Sequence, residues 1–449
     1  MKHLFSRLSP AQKIILSFLL VIFCGSLLLS LPWVQTESSQ AGYLDHLFTA
    51  VSMVCVTGLF TRSVVDTYNV WGQLLCMLLI QIGGLGILTF IGFFTMESRK
   101  KLSLKDRRIL RDSFSYGHNR TLGQFVRSIF ITTFSIEGLG ALLLMIRFIP
   151  KFGLRKGIFN SIFLAVSAFC NAGFDNFGND SLLGLQTDVL VNITLALLII
   201  TGGLGFMVWF DLATKLGGKQ KGLHFHTKVV LLLTAGLLVF GTVTSLWTEY
   251  NNPGTIGNLS FGDKLLVSFF QTVSMRTAGF ASIDYTAARP VTLFIYLLQM
   301  FLGGAPGGTA GGLKITTFLV LLLFARKEIL GLPHTNMGRR TLSPQLVQKA
   351  FGVTVIFQLT FLLGLLALGL VTDSSHRFIY LIFETVSALA TVGVTANITT
   401  SLNTAGMIVI MLLMFIGRVG PLTLMVSLSH YQPKKATTLH YSKADIMIG

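Results

Sequence analysis

Eight stretches of predominantly apolar sequence run along this chain, at about 12–33, 71–95, 126–149, 189–212, 228–248, 291–325, 349–371 and 405–429. About 20 apolar residues in helical form cross a hydrocarbon core of about 30 Å, so each stretch predicts a membrane span. Within lipid every peptide group must find its partner inside the protein, which makes helices the expected structure of these spans. Only 12% of the residues are charged, against 52% apolar, and a soluble domain carries about twice that charged share. A water-soluble enzyme is thereby excluded. The first run, Ile14 to Leu31, is long enough to stay in the membrane, so no cleavable leader is expected.

Between the members of each consecutive pair lies a shorter apolar run: Leu44–Cys55, Ile158–Cys170, Asp263–Met275 and Phe378–Leu389. Runs of about a dozen residues cannot span and are expected as buried or re-entrant helices. They also resemble one another. They end in AVSMVCVTGLF (50–60), AVSAFCNAGF (165–174), TVSMRTAGF (272–280) and TVSALATVGV (385–394). Each holds a Val-Ser pair and then a glycine, namely Gly58, Gly173, Gly279 and Gly393, spaced 115, 106 and 114 residues apart. The third copy is one residue shorter between serine and glycine. The second spans of the four pairs match too, with IGGLG (82–86), TGGLG (201–205), LGGAP (302–306) and IGRVG (416–420).

Self-similarity at a fixed period signals a repeat architecture. The fold class expected is an all-α integral membrane protein. It has four tandem helix–pore helix–loop–helix repeats around a pseudo-fourfold central pore. Repeat 1 covers 12–95, repeat 2 covers 126–212 and repeat 3 covers 228–325 with a broken second helix. Repeat 4 covers 349–429, and a C-terminal tail covers 430–449. Taken alone, the GG pairs fit close helix packing through small residues. A glycine shared by four loops asks for more than packing.

Non-helical backbone at membrane depth survives only where protein or a water-filled cavity surrounds it. Four re-entrant loops from one chain can ring one axis and turn their carbonyls toward it. The C-terminal ends of four short helices would add on the order of two negative charges. Carbonyl rings can replace the hydration shell of a monovalent cation. The candidate filter is therefore Val56, Thr57 and Gly58; Asn171, Ala172 and Gly173; Thr277, Ala278 and Gly279; and Thr391, Val392 and Gly393, acting through backbone oxygen. Glycine suits the turning point because positive φ costs it little.

The net charge of +17 is a topology signal. Lys and Arg crowd the N-terminus, the 96–127, 213–228 and 326–349 loops and the tail, which places that side and both termini in the cytoplasm. Lipid headgroups are the expected contact for much of this charge, and no nucleic acid partner is expected. The four cysteines, Cys24, Cys55, Cys76 and Cys170, have neither disulfide nor zinc spacing. His224 and His226 sit in a basic loop and are expected to be solvated. Glu137 and Glu384 are expected to make structural hydrogen bonds at short-helix ends. No HExxH, paired carboxylates or Ser/His/Asp set stands out, so an enzyme is not expected.

The four loop motifs, GGLG after the first two and GRVGPLT after the fourth, resemble the Trk/Ktr/HKT superfamily of potassium transporters over nearly the whole chain. With no helix pair ahead of the first repeat, the chain is most like the ion-translocating membrane subunit of a bacterial Ktr system. The resemblance implies a gated channel or transporter for potassium uptake across the bacterial plasma membrane. The family's filter glycines fall on Gly58, Gly173, Gly279 and Gly393. Serine at the first of these goes with sodium permeation, so Gly58 implies potassium; dependence on sodium stays open. The resemblance also implies a homodimer on a ring of soluble nucleotide-binding regulatory subunits of the RCK/KTN type. The tail YSKADIMIG (441–449) resembles a family tail implicated in the dimer contact.

Residues 303–312 read GGAPGGTAGG. Each glycine costs a helix about 1 kcal/mol and a proline about 3 relative to alanine, so this segment should break its span. Gly303, Gly304, Ala305, Pro306, Gly307, Gly308, Thr309, Ala310, Gly311 and Gly312 form an inserted loop on the cytoplasmic side of the filter, placed to obstruct it. The family's gating loop matches this segment. A phosphate-loop reading fails because GGLKI (311–315) lacks the Gly-Lys-Ser/Thr ending. Lys314 either snorkels or contacts carbonyls below the filter. Arg418 replaces the second glycine of repeats 1 and 2, where a charge costs about 2.5–3.5 kcal/mol. It is expected to bond the loop carbonyls and raise a barrier to ions. The competing reading, a secondary transporter of another monovalent cation or small solute, would favour inverted repeats and broken helices.

Overall fold

The structure is a computed structural model that describes residues 10–86, 122–178, 181–218, 220, 222–338, 340–372 and 377–420. Most of the basic 96–127 loop, the ends expected for repeats 1 and 4 (87–95 and 421–429) and the 430–449 tail lie outside the described residues.

Each repeat begins with a long outer helix: α1 (Pro10–Leu29), α4 (Leu122–Phe152), α8 (Phe225–Glu249) and α12 (Pro344–Val371). Each is long and apolar enough to cross a membrane. Leucines and phenylalanines such as Phe23, Leu142, Phe240 and Leu363 stay exposed on their outward faces, as expected of a lipid-facing surface. Next in each repeat comes the pore helix: α2 (Tyr43–Val54), α5 (Leu154–Phe169), α9 (Phe261–Ser274) and α13 (Phe378–Leu389). Their C-terminal halves are buried almost without interruption, as in the run Phe383–Leu389, so they form the middle of the bundle.

The inner helices are α3 (Val70–Leu85), α6 (Val189–Gly203), α10 (Pro290–Phe301) and α14 (Thr404–Val419). Three of them start on a polar cap. Asn69 accepts from Trp71 N and Gly72 N, Asp188 from Val191 N and Asn403 from Gly406 N; the fourth starts on Pro290. Such caps satisfy donors that the helix itself leaves free.

The inner helices are shorter than expected, at 16, 15, 12 and 16 residues. Only the third span was expected to break, yet every one ends at the shared glycine motif. Gly86, Gly205 and Gly420 take φ of +81°, +89° and +90° with ψ of 133°, 141° and 127°, an extended positive-φ backbone that glycine tolerates and that cannot continue an α-helix. In repeat 2 the chain restarts as α7 (Phe206–Leu216), bent by 99° from α6. In repeat 3 it restarts as α11 (Ile315–Ile329) after the long insertion. The first glycine of the motif serves packing as well. A Cβ at Gly83, Gly202 or Gly417 would overlap the carbonyl oxygen of Val54, Phe169 or Leu389, at the end of that repeat's own pore helix.

Candidate functional site

The four loops after the pore helices converge. A Cβ added to Gly58 would lie 2.8 Å from Ala172 O, one on Gly173 2.7 Å from Ala278 O, and one on Gly279 2.6 Å from Val392 O. One on Gly393 would overlap Thr57 O. Each glycine thus abuts the carbonyl of the next repeat, in the cyclic order 1, 2, 3, 4 and back to 1. The four bends close into a ring around one axis, and only a residue without a side chain fits at its contact points.

The backbone is shaped for this. The first residue of each triplet has positive φ although none is glycine: Val56 +55°, Asn171 +57°, Thr277 +66° and Thr391 +51°. The third residues, the glycines, have φ of +105°, +69°, +84° and +96°. Alternating the sign of φ turns successive peptide groups to one side. For β-branched residues a left-handed conformation is strained by about 1–3 kcal/mol, and such strain collects at functional sites. The strain recurs at the three β-branched positions, and the fourth is filled by Asn171, a residue type that adopts this region more readily.

The serine of the Val-Ser pair holds the ring in place, a role that the shared motif signalled but spacing alone did not assign. Ser52 Oγ accepts from Gly58 N at 3.1 Å, Ser387 Oγ from Gly393 N at 3.1 Å and Ser167 Oγ from Phe174 N at 2.9 Å. In the shorter third copy Ser274 Oγ instead donates to Phe280 O at 2.5 Å. There the backbone closes one residue earlier, Ala278 N bonding Ser274 O at 2.9 Å, whereas Thr57 N, Ala172 N and Val392 N reach back five residues. The missing residue is absorbed in that turn, and Gly279 still reaches the ring.

Beyond the ring, each pore helix ties down its own returning loop. Thr61 Oγ1 donates to Asp45 Oδ1 at 2.7 Å, Asn176 Nδ2 to Asn160 Oδ1 at 2.8 Å, Gln271 Nε2 to Ser282 Oγ at 2.7 Å and Thr395 Oγ1 to Glu384 Oε2 at 2.7 Å. Glu384 therefore sits where such a brace is needed. Glu137 differs from expectation: it lies within outer helix α4 and accepts from Gln81 Nε2 on α3 at 3.0 Å, joining two repeats. His224 lies exposed, as expected, and still finds a partner. Its ring and backbone N–H engage Asp211 on α7, at 2.5 Å and 2.8 Å. A cavity of about 960 Å³ opens on this side of the ring, lined by Gly173, Gly279 and Gly393 together with Asp45, Asp66 and Asp284.

On the opposite side lies the 303–312 segment. Its neck is closed by Gly303 N to Leu313 O at 3.0 Å and Leu313 N to Phe301 O at 3.1 Å. The loop stitches itself into the break of repeat 2. Ala305 N donates to Gly203 O at 2.9 Å, Thr309 N to Gly202 O at 3.2 Å, and Phe206 N to Gly307 O at 3.1 Å. A helix end leaves such groups unpaired, and at this depth water is not the default partner. The bend of one inner helix and the insertion in the next therefore complete each other.

The tip of the loop also touches the candidate filter residues of repeats 2, 3 and 4. Gly311 N donates to Thr277 Oγ1 at 3.1 Å. Thr309 Oγ1 donates to Phe169 O at 3.1 Å and lies 3.3 Å from the Asn171 amide. In the orientation that suits its neighbours, that amide nitrogen donates to Ala168 O and Ile199 O. Gly311 packs so closely under Thr391 that a Cβ would overlap its Oγ1. Arg418 links the tip to repeat 1. Its Nη1 donates to Thr309 O at 2.6 Å, while Nη2 bonds Gly83 O and, at 3.2 Å, Gly84 O. Lys314 Nζ donates to Ala310 O at 2.6 Å. Both cations, among the described residues, pair with carbonyl dipoles and with no carboxylate.

A family model described as a cation transport protein, TrkH, matches residues 7–438. The Ktr system potassium uptake protein B of Bacillus subtilis is 38% identical over 446 residues, covering 99% of this chain and 97% of that protein. The potassium/sodium uptake protein NtpJ of Enterococcus hirae is 38% identical over 453 residues, covering 100% and 99%. Among solved structures, the potassium transporter TrkH from Vibrio parahaemolyticus matches with a TM-score of 0.73 at 17% identity, over 93% of this chain and 84% of that one. The structural likeness shows the shared fold, and the sequence matches carry the descent. The chain belongs to the TrkH family of cation transport proteins.

Proposed function

We propose that the chain takes up potassium across a bacterial plasma membrane, with the four-loop ring as selectivity filter and the 303–312 loop with Arg418 as its gate. The observation that carries this reading is the cyclic contact between filter glycines and the next repeat's carbonyls. Main-chain oxygens held at that spacing can stand in for the water that a monovalent cation gives up. The C-terminal ends of α2, α5, α9 and α13 add on the order of two negative charges, which favours a cation. Potassium as the cargo is supported by the names of the two relatives at 38% identity. The word sodium in the second name supports a part for that ion as well.

The excess of Lys and Arg on the side of the 303–312 loop supports a cytoplasmic placement for it. Ions would then enter through the acidic cavity and meet the filter before the gate. With the loop seated, its peptide groups and the Arg418 guanidinium occupy the exit, and a positive charge there opposes a leaving cation. The term "Ktr system" in the relative's name supports a second component. A soluble nucleotide-binding ring acting on the basic cytoplasmic loops, with the membrane subunit as a homodimer, fits a chain in which the sequence shows no nucleotide motif.

Rescue of potassium-limited growth in cells that lack their own uptake systems tests the reading. The unmodified chain is expected to restore growth. Gly279→Ser places a side chain against Val392 O at a φ of +84° and is expected to abolish rescue. Full growth in that variant would count decisively against the filter.

A further inference from the structure

We infer that Arg276 sets the valence of the ions the ring admits: its guanidinium, buried behind the third loop without a counter-charge, weakens the negative field of the four helix ends and so disfavours divalent cations. The inference rests on the filter reading and adds to it a residue that decides which charge of cation passes.

Three residues before each ring glycine the repeats carry Cys55, Cys170, Arg276 and Ala390. The two cysteines and the alanine are small and fully buried, and Arg276 is buried as well. Only repeat 3 places a charge at this position. That charge is scarcely bonded. Its Nη2 lies 3.5 Å from Thr234 Oγ1 on α8, longer than an ordinary hydrogen bond. Its Nε has no partner among the described residues, and no ion pair among them includes it. A second polar exchange falls in the same repeat. Four residues before the first glycine of each inner-helix motif stand Leu79, Leu198, Gln299 and Leu413, each packed against a glycine of its own outer helix. Both amide atoms of Gln299 are also without a partner among the described residues.

An arginine that served packing alone would spend its donors on neighbouring oxygens, because an unpaired charge at membrane depth is costly. What this one contributes is its field. Arginine side chains stay protonated in proteins, and a protein interior screens a charge far less than water does. The C-terminal ends of α2, α5, α9 and α13 supply on the order of two negative charges, and one positive charge behind the loop of α9 offsets part of them. The energy of an ion in a field is proportional to its own charge. Whatever factor the guanidinium removes from the binding of a monovalent ion, it removes the square of that factor from a divalent ion of the same size. Arg418 and Lys314 bond carbonyls of the 303–312 loop, whereas the contact of Arg276 is with α8. Its field therefore acts whether or not the loop is seated.

Rubidium uptake by the full-length protein in liposomes, with barium chloride as the competing ion, tests this; barium is close to potassium in size and carries twice its charge. In Arg276→Gln the half-saturating rubidium concentration is expected to fall about threefold and the half-blocking barium concentration about ninefold. Arg276→Cys, which copies repeats 1 and 2, should behave alike, and Arg276→Lys should match the unmodified protein. Thr234→Val removes the contact but leaves the charge, and barium block should not change. Thr234→Asp keeps the arginine and sets a carboxylate beside it, so barium sensitivity should rise several-fold even if Arg276 itself tolerates no replacement. Equal shifts for rubidium and barium in Arg276→Gln would overturn the inference, as would an unchanged barium block in Thr234→Asp. If barium block ignores these charges while Gly279→Ser still abolishes uptake, the role of Arg276 alone is wrong. If Gly279→Ser transports normally, the filter reading beneath it fails first.

Discussion

The ring of loops proposed as the filter and the layer beneath it are built by the same four repeats, yet they obey opposite rules. In the ring of loops the repeats agree: a serine, a positive-φ first residue and a glycine recur in each, and each glycine abuts a backbone oxygen of the next repeat. One layer down they diverge. Repeats 1 and 2 keep GGLG, repeat 3 inserts GGAPGGTAGG, and repeat 4 replaces a glycine with Arg418. A ring that strips water from an ion needs equal contributions from all sides. An obstruction needs one element to fill the axis and the others to hold it, which only unequal repeats can supply.

The same substitution should therefore have opposite effects in the two layers. The largest effect is expected at Gly393→Ala, where the methyl overlaps Thr57 O at a φ of +96°. Strain of about 1–3 kcal/mol plus the lost ring geometry should cut rubidium uptake by about 100-fold. Gly138→Ala, with nothing within 4 Å of its Cβ, should leave uptake unchanged. A defect there equal to that of Gly393→Ala would remove the distinction. Arg418→Gln gives up charge-assisted bonds to Thr309 O and to the end of α3, and uptake without stimulation should rise about tenfold. A fall instead would show that the arginine supports the pore rather than closes it.

Gly311→Ala pushes a methyl into Thr391 and unseats the loop tip. Uptake is expected to rise about fivefold, in line with the cost of overpacking. A loss like that at Gly393 would place Gly311 in the filter layer. The smallest effect is expected for Ser387→Ala, which frees Gly393 N. Discrimination between potassium and sodium, read from competition in flux assays, should fall about threefold. No change would show that the neighbouring contacts hold Gly393 without its serine.

The repeats were legible because lipid imposes long apolar runs and because the ring glycines are sterically irreplaceable. The insertion in repeat 3 was legible from its glycines and proline. The break of repeat 2 was not: TGGLG differs from IGGLG only in its first letter, and the residues from Phe206 to Leu216 are mostly apolar and helical. Its bend depends on Gly205 at positive φ and on loop groups from about 100 residues later accepting and donating at the break. Glu137 was misplaced for a similar reason, since its partner Gln81 belongs to another repeat.

From sequence alone come the four long outer spans, the fourfold repetition, the glycines at which a side chain cannot fit and the odd residues of repeats 3 and 4. These obey local rules, the length of a span and the conformational range of a residue. Only the tertiary structure decided that the four bends meet in cyclic order, and that Thr309, Ala310 and Gly311 lie between Thr277, Thr391 and Arg418. Those contacts join residues far apart in the chain, and the groups that satisfy each other at a buried helix end are chosen by proximity in space, which spacing along the sequence does not encode.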